Sequence, residues 1–230
     1  TAVLVANGTY YNEGFGSGSN TNPPVVNIHN KEDILLTALP GHTPCIKFDG
    51  SGGISTNSVL RIEISGFEVV GANAQIKYLE AMADRMLHSP RFSGRGIVVW
   101  SGSDISIRNN TVHHTPGSGI RVNAGDYVLV EENEVHSCTW WSSNAESALV
   151  FARSSSIDSV DHVKMKISNN RVHGNRNFIP YYNADYDDPE YLADSHIHVV
   201  REHYGSSNQT SVVDGSGVHV TKNSESYDHG

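Results

Sequence analysis

GIVVWSGSDISIRNNTVHH (residues 96–114) and GIRVNAGDYVLVEENEVHS (119–137) are two copies of one unit, aligned without a gap at an offset of 23 residues. Ile97 lies on Ile120, Ile107 on Val130, Asn110 on Asn133, Val112 on Val135 and His113 on His136. The end of the unit returns in VKMKISNNRVHGN (163–175) as Ile167, Asn170, Val172 and His173, this time after 37 residues, so the 14 added residues belong to loop. A weaker copy, VLRIEISGFEVVG (59–71), carries Ile64, Phe67 and Val69. A period in the twenties built from short alternating segments marks a solenoid, in which each coil buries its apolar side only against its neighbours.

A strand sends residues i and i+2 to one face, so in GIRV Ile120 and Val122 point one way and Arg121 the other. The same register gives Ile97/Val99, Leu149/Phe151 and Val218/Val220, and these columns are the expected core. Asn110, Asn133 and Asn170 each precede a Val by two residues at one bend, where stacked amides hydrogen-bond along the axis. A helical reading fits only Gln75–Leu87, where QIKYLEAMADRML spaces its apolar residues at helical intervals; elsewhere they recur at two. The expectation is one all-β domain over 1–230 with a short helix near 75–87 and loop insertions at about 72–93, 138–147 and 176–195.

The GIxV strands at 96, 119 and 217, the NNxVH units at 109 and 169 and the LVANGTYYNE opening resemble a right-handed, single-stranded parallel β-helix of the pectate-lyase-like superfamily. The resemblance covers nearly the whole chain and implies a sugar-binding groove along one parallel sheet. It does not specify an activity, since such folds serve lyases, hydrolases, epimerases, adhesins and phage spikes.

Composition agrees with a secreted or cell-surface solenoid: 21 glycines and only 18% charged residues suit short strands joined by many turns. Cys45 and Cys138 are several coils apart, which argues against a mutual disulfide, and both read as small buried residues. The net charge of −9 opposes general nucleic-acid binding, which needs a basic face. No stretch is long and apolar enough to span a membrane as a helix. The chain opens inside a strand and stops soon after GVHV without a polar cap, so further coils are expected beyond the C-terminus.

Candidate chemistry belongs to the outward column of the GIxV strands: Val98, Arg121, Val150 and His219, with Arg95, Ser118 and Ser147 upstream and Trp100, Asn123, Ala152 and Thr221 downstream. Arg121 and His219 stand out. Either they are solvated or paired surface groups, or the guanidinium grips a uronate carboxylate at two points and the imidazole takes a proton. Trp140 and Trp141 open the second insertion, and Tyr181, Tyr182, Tyr186 and Tyr191 fall in the acidic loop from 178 to 194. Their rings either stack on pyranoses or pack the loops onto the coil. Glu146 lies at the groove's edge in this reading, and Asp214 either orients a ligand or caps the turn at Gly215.

Asp185, Asp187 and Asp188, with Glu190 and Asp194 nearby, have the oxygen donors that Ca²⁺ requires. Their spacing departs from the EF-hand loop, and a solvated acidic loop is the plainer reading. No organic cofactor is expected. His113, His136 and His173 recur once per coil at the strand spacing of about 4.8 Å, as a consensus surface column or, less simply, a transition-metal site. His196, His198 and His203 alternate like a strand beside Arg201.

Three functions fit. The first is a lyase on an acidic polysaccharide, with Arg121 neutralising the carboxylate, His219 as base and Tyr182 as acid. A glycoside hydrolase needs two facing carboxylates, for which Glu146 and Asp214 are the best pair. A noncatalytic carbohydrate-binding or adhesion solenoid needs only the aromatic and polar side chains.

Overall fold

The computed structural model describes residues 1–17, 22–84, 93–142, 146–154, 156–160, 163–179 and 217–221. They form six successive coils of three strands each. The first holds β1 (Ala2–Val5), β2 (Thr9–Tyr11) and β3 (Val26–His29), and the second β4 (Glu32–Ala38), β5 (Cys45–Lys47) and β6 (Gly52–Asn57). The third holds β7 (Val59–Ser65), β8 (Glu68–Val70) and β9 (Arg95–Val99), and the fourth β10 (Gly102–Arg108), β11 (Thr111–His113) and β12 (Ile120–Asn123). The fifth holds β13 (Gly125–Glu131), β14 (Glu134–His136) and β15 (Leu149–Ala152), and the sixth β16 (Met165–Ser168), β17 (Arg171–His173) and β18 (Val218–Thr221). Corresponding strands pair in parallel into three sheets, A (β1, β4, β7, β10, β13, β16), B (β2, β5, β8, β11, β14, β17) and C (β3, β6, β9, β12, β15, β18).

The repeat becomes register. Ile97 pairs with Ile120 and Ile120 with Leu149, and all three are fully buried in one interior column. Ile64, Ile107 and Val130 stack on sheet A, and Val69, Val112 and Val135 on sheet B. Burial of these β-branched and leucyl side chains, each contributing about 1.5–3 kcal/mol when fully enclosed, holds the coils together.

The corner between sheets A and B carries the asparagine ladder. Asn110 Nδ2 donates to Asn133 Oδ1 (3.0 Å), and Asn133 Nδ2 to Asn170 Oδ1 (2.9 Å). The same Nδ2 atoms also reach carbonyls inside the corner, Asn110 to Ile64 O (3.1 Å) and Asn133 to Ile107 O (2.9 Å). Asn109, Glu132 and Asn169, immediately before the ladder residues, have φ of 55–56°, the left-handed turn that aims each amide inward. In the third coil Phe67 takes the ladder position, and its N–H donates to Asn110 Oδ1 (3.1 Å).

The insertions expected near 72–93, 138–147 and 176–195 all leave from the corner between sheets B and C. Their described parts pack on one another: Ala81, Trp141 and Ile179 form a second apolar cluster with Ile76, Trp140 and Phe178 against it. The helix expected over 75–87 is a 3₁₀ turn at Asn73–Gln75 followed by α1 (Tyr78–Asp84); residues 85–87 lie outside the described ones. The 14 residues added between the second and third copies are divided. Six lengthen His136 to Leu149 relative to His113 to Ile120, and eight lengthen Ala152 to Met165 relative to Asn123 to Val128. The second piece is fastened to sheet A by Asp158, which accepts from Lys164 Nζ (2.5 Å) and Tyr127 Oη (2.7 Å).

Cys45 and Cys138 are both free thiols. Cys138 is buried as expected, but Cys45 is only half-buried on the outer face of sheet B, because its strand position points away from the core. Burial and the neighbouring Glu68 push the Cys45 thiol up to about 11, so it is protonated at neutral pH.

Candidate functional site on sheet C

The column Asn27, Ser55, Val98, Arg121, Val150 and His219 is paired strand to strand without a break, and the first five of these build the outer face of sheet C. The strands read VNIH, GGISTN, RGIVV, IRVN, LVFA and VHVT, so not one carboxylate originates in this sheet. In a chain of net charge −9 that is a strong segregation of sign. Its two arginines, Arg95 and Arg121, sit on adjacent strands.

Arg95 faces outward although it stands three residues before Val98, because Gly96 turns into the interior: a Cβ there would collide with Val112. Between the arginines lies Glu146, delivered by the loop from β14 and buried, with its side chain 2% exposed. Its Oε1 accepts from Arg95 Nε (2.9 Å), from Arg95 Nη2, and from Arg121 Nη1 (3.4 Å). Its Oε2 accepts from the Ser118 N–H (2.9 Å) and Ser118 Oγ (3.1 Å). Gly117 makes this approach feasible, since a Cβ on it would stand 2.6 Å from Oε2.

Burial alone would raise the Glu146 carboxyl. The charges of Arg95 and Arg121 and the donors around it outweigh burial and hold it below its ordinary value. Burial lowers Arg121, with the charges of Arg95 and Arg153 adding to that effect and Glu146 opposing it, yet a guanidinium stays charged at any working pH. Among the described residues, two cations bonded to one anion leave an excess positive charge. Arg121 Nε donates to Asn123 Oδ1 (3.0 Å), while its Nη2 makes no hydrogen bond among the described residues. Asn123 Nδ2 is likewise buried with no partner among them.

Beside the arginines, toward the first coils, is a recess of about 290 Å³ lined by Asn27, Ser51, Ser55, Arg95, Val98 and Trp100 among others. Val98 is outward by register but only 3% exposed, which makes it floor rather than surface. Trp100 is 43% exposed, with the Arg95 guanidinium 5.5 Å from its ring centre.

The geometry separates the sequence candidates. Arg95, Arg121 and Glu146 converge, and Glu146 is a buried counter-ion holding two arginines rather than a group at the groove's rim. Trp140 and Trp141 are corrected as groove platforms. Trp141 is buried and donates its indole N–H to Asn73 O (3.3 Å), and Trp140 packs against His114, Trp141 and Phe178. Large aromatic rings gain more from burial between neighbouring loops than from exposure. His219 shares Arg121's column by backbone register, two strands away. Tyr181, Tyr182, Asp185, Asp187, Asp188, Asp214 and the histidines at 196, 198 and 203 lie outside the described residues. Trp100 was legible as a downstream position but not as the exposed ring of the face.

A match to the family described as right handed beta helix region spans residues 27–227. The chain belongs to the right-handed β-helix family. No curated protein and no solved structure matches it.

The β-helix also carries the histidine column read from its repeat. His113 and His136 stack at 4.9 Å and 5°, and His136 and His173 at 5.1 Å and 12°. Glu68 Oε1 meets His113 Nε2 (3.1 Å) at one end, and Glu134 Oε1 meets His173 Nε2 (3.0 Å) at the other. Among the described residues no group of three or more His, Cys, Asp or Glu has metal-holding geometry. No described helix is long and apolar enough to cross a membrane.

Proposed function

We propose that this β-helix binds an acidic polysaccharide along sheet C, with Arg121 receiving a uronate carboxylate. The observation that carries this reading is the excess positive charge of Arg95, Arg121 and Glu146 on a sheet whose strands contain no carboxylate. Glu146 fixes Arg121 from one side, so the ligand meets a guanidinium already oriented, with Nη2 available for a charge-assisted bond. Such a bond contributes about 1.5–3 kcal/mol. Arg121→Ala is therefore expected to weaken binding of polygalacturonate or alginate by about tenfold or more in calorimetric titration. Unchanged affinity overturns the assignment.

A second reading, elimination by a lyase, is favoured by one feature: His219 occupies the same column as Arg121, two strand spacings or about 10 Å along the face. A carboxylate held at Arg121 then lets the ring that bears it lie over Val150, between Arg121 and the strand position of His219. Appearance of unsaturated products by ultraviolet absorbance, measured with and without chelator and lost in His219→Ala, distinguishes cleavage from binding alone. A hydrolytic pair with Glu146 as acid is not retained, because both its oxygens are occupied and its carboxyl is held ionised.

A further inference from the structure

We infer that the ligand is a heteropolysaccharide in which a uronate is flanked by neutral sugars, the recess at Trp100 being a neutral-sugar subsite. This rests on the acidic-polysaccharide reading of sheet C and narrows it. A sugar unit and a coil have similar lengths, ~5 Å along the axis, so the charges on the face report the charges on a polymer laid along it. Among the described residues the arginines of the sheet strands are confined to β9 and β12, with Arg153 just past the end of β15. A chain charged at every unit would place carboxylates over Asn27, Ser55, Val98 and Val150, where no strand residue supplies a cation and the apolar floor penalises an ion.

The recess itself has the chemistry of hydroxyl recognition. Asn27 and Ser55 are adjacent in register and their side chains make no hydrogen bond among the described residues, so an amide and a hydroxyl are open to ligand. Trp100 offers an indole face beside them, suited to the C–H surface of a pyranose. The one ion lining it, Arg95, already has Nε and Nη2 on Glu146, so its charge is largely answered within the protein. Arg121, with its open Nη2, is the position that reads an acid; Trp100, Asn27 and Ser55 read what precedes it.

The test uses the full chain and titrates gellan, whose uronates are separated by neutral sugars, against polygalacturonate, a homopolymer of uronate, at one ionic strength. The expected result is a preference for gellan of about tenfold or more. Trp100→Ala and the double variant Asn27→Ala/Ser55→Ala should erase the preference by weakening gellan alone, while Trp100→Phe keeps most of it. Thermal unfolding of each variant separates lost contact from lost fold, and Trp100→Phe keeps the test decisive if the alanine variant is unstable. A preference below that size, or equal weakening of both polymers by Trp100→Ala, overturns the subsite. If Arg121→Ala abolishes binding while Trp100→Ala changes nothing, the acidic-polysaccharide reading stands and this inference falls. If neither polymer binds, both fall.

Discussion

Sheets A and C are turned out by the same coils, yet they treat charge in opposite ways. On the outer face of sheet A, Arg61 meets Asp33 (2.6 Å) and Glu32 (3.0 Å), and Arg108 meets Glu63 (2.8 Å), each partner coming from a neighbouring sheet strand. These groups are substantially exposed and screened by water, with two carboxylates on Arg61 and one on Arg108. On sheet C the only strand cations are arginines and their counter-ion is imported by a loop, buried, and one charge short. Exposed pairs in which carboxylates match or outnumber arginines leave no cation open on their face; a buried set with arginine in excess stores positive charge for something else to meet. The interior columns beneath both faces are alike, so the difference lies in the outward positions that the core leaves unconstrained and in the loop that delivers Glu146.

The ladder at the corner of the coils sets the scale against which either face is judged. Asn133→Ala removes an amide bonded to Asn110, Asn170 and Ile107 and strands buried partners, so a loss of about 4 kcal/mol is expected in urea unfolding. A loss below ~1 kcal/mol would show that the ladder is ornament. Next comes the direct contrast. Glu146→Gln leaves two half-buried guanidiniums facing each other and is expected to cost about 3 kcal/mol, whereas Glu63→Gln on sheet A should cost under ~1 kcal/mol. Equal losses would erase the distinction between the faces.

The smallest effect is one of pH. Burial, with the charges of His113 and His173 adding to it, lowers His136 below its ordinary 6.5; His114 acts in the same direction and Glu134 opposes it. A base with a depressed folded value binds protons more readily when unfolded. Its contribution is therefore complete above 6.5 and declines as pH falls through the folded value. The Glu146 carboxyl, held below its ordinary 4.5, begins to act only under that pH, where protonation withdraws the counter-ion of sheet C. Melting temperature followed from pH 7 downward should show a shallow decline between these values, then a steeper one. His136→Asn should flatten the first limb and leave the second. If the first limb survives the substitution, His136 is not its source, and His114, lowered by burial and by His113, is the next group to replace.

The repeat made much of this legible. Asn110, Asn133 and Asn170 announced a ladder, His113, His136 and His173 a stack, and Ile97, Ile120 and Leu149 an interior column, because a coil's partner lies one period away and the period is written in the residues. The register also placed Arg121 outward. What could not be read was anything that the loops do. Glu146 and the two tryptophans occupy the same insertion, and nothing local says that one reaches under the arginines while the others pack against Ala81, Phe178 and Ile179.

The sequence alone thus determined the coils, their alignment and the interior columns of the middle coils, since parallel pairing with a two-residue alternation follows from spacing; Val218, expected in the core, is 46% exposed on the last described strand. Only the tertiary structure decided how the charge of sheet C is balanced and which aromatic stays exposed. Those outcomes depend on contacts between residues of different coils and loops, such as Arg95 with Glu146, where burial and electrostatics settle the arrangement without leaving a period behind.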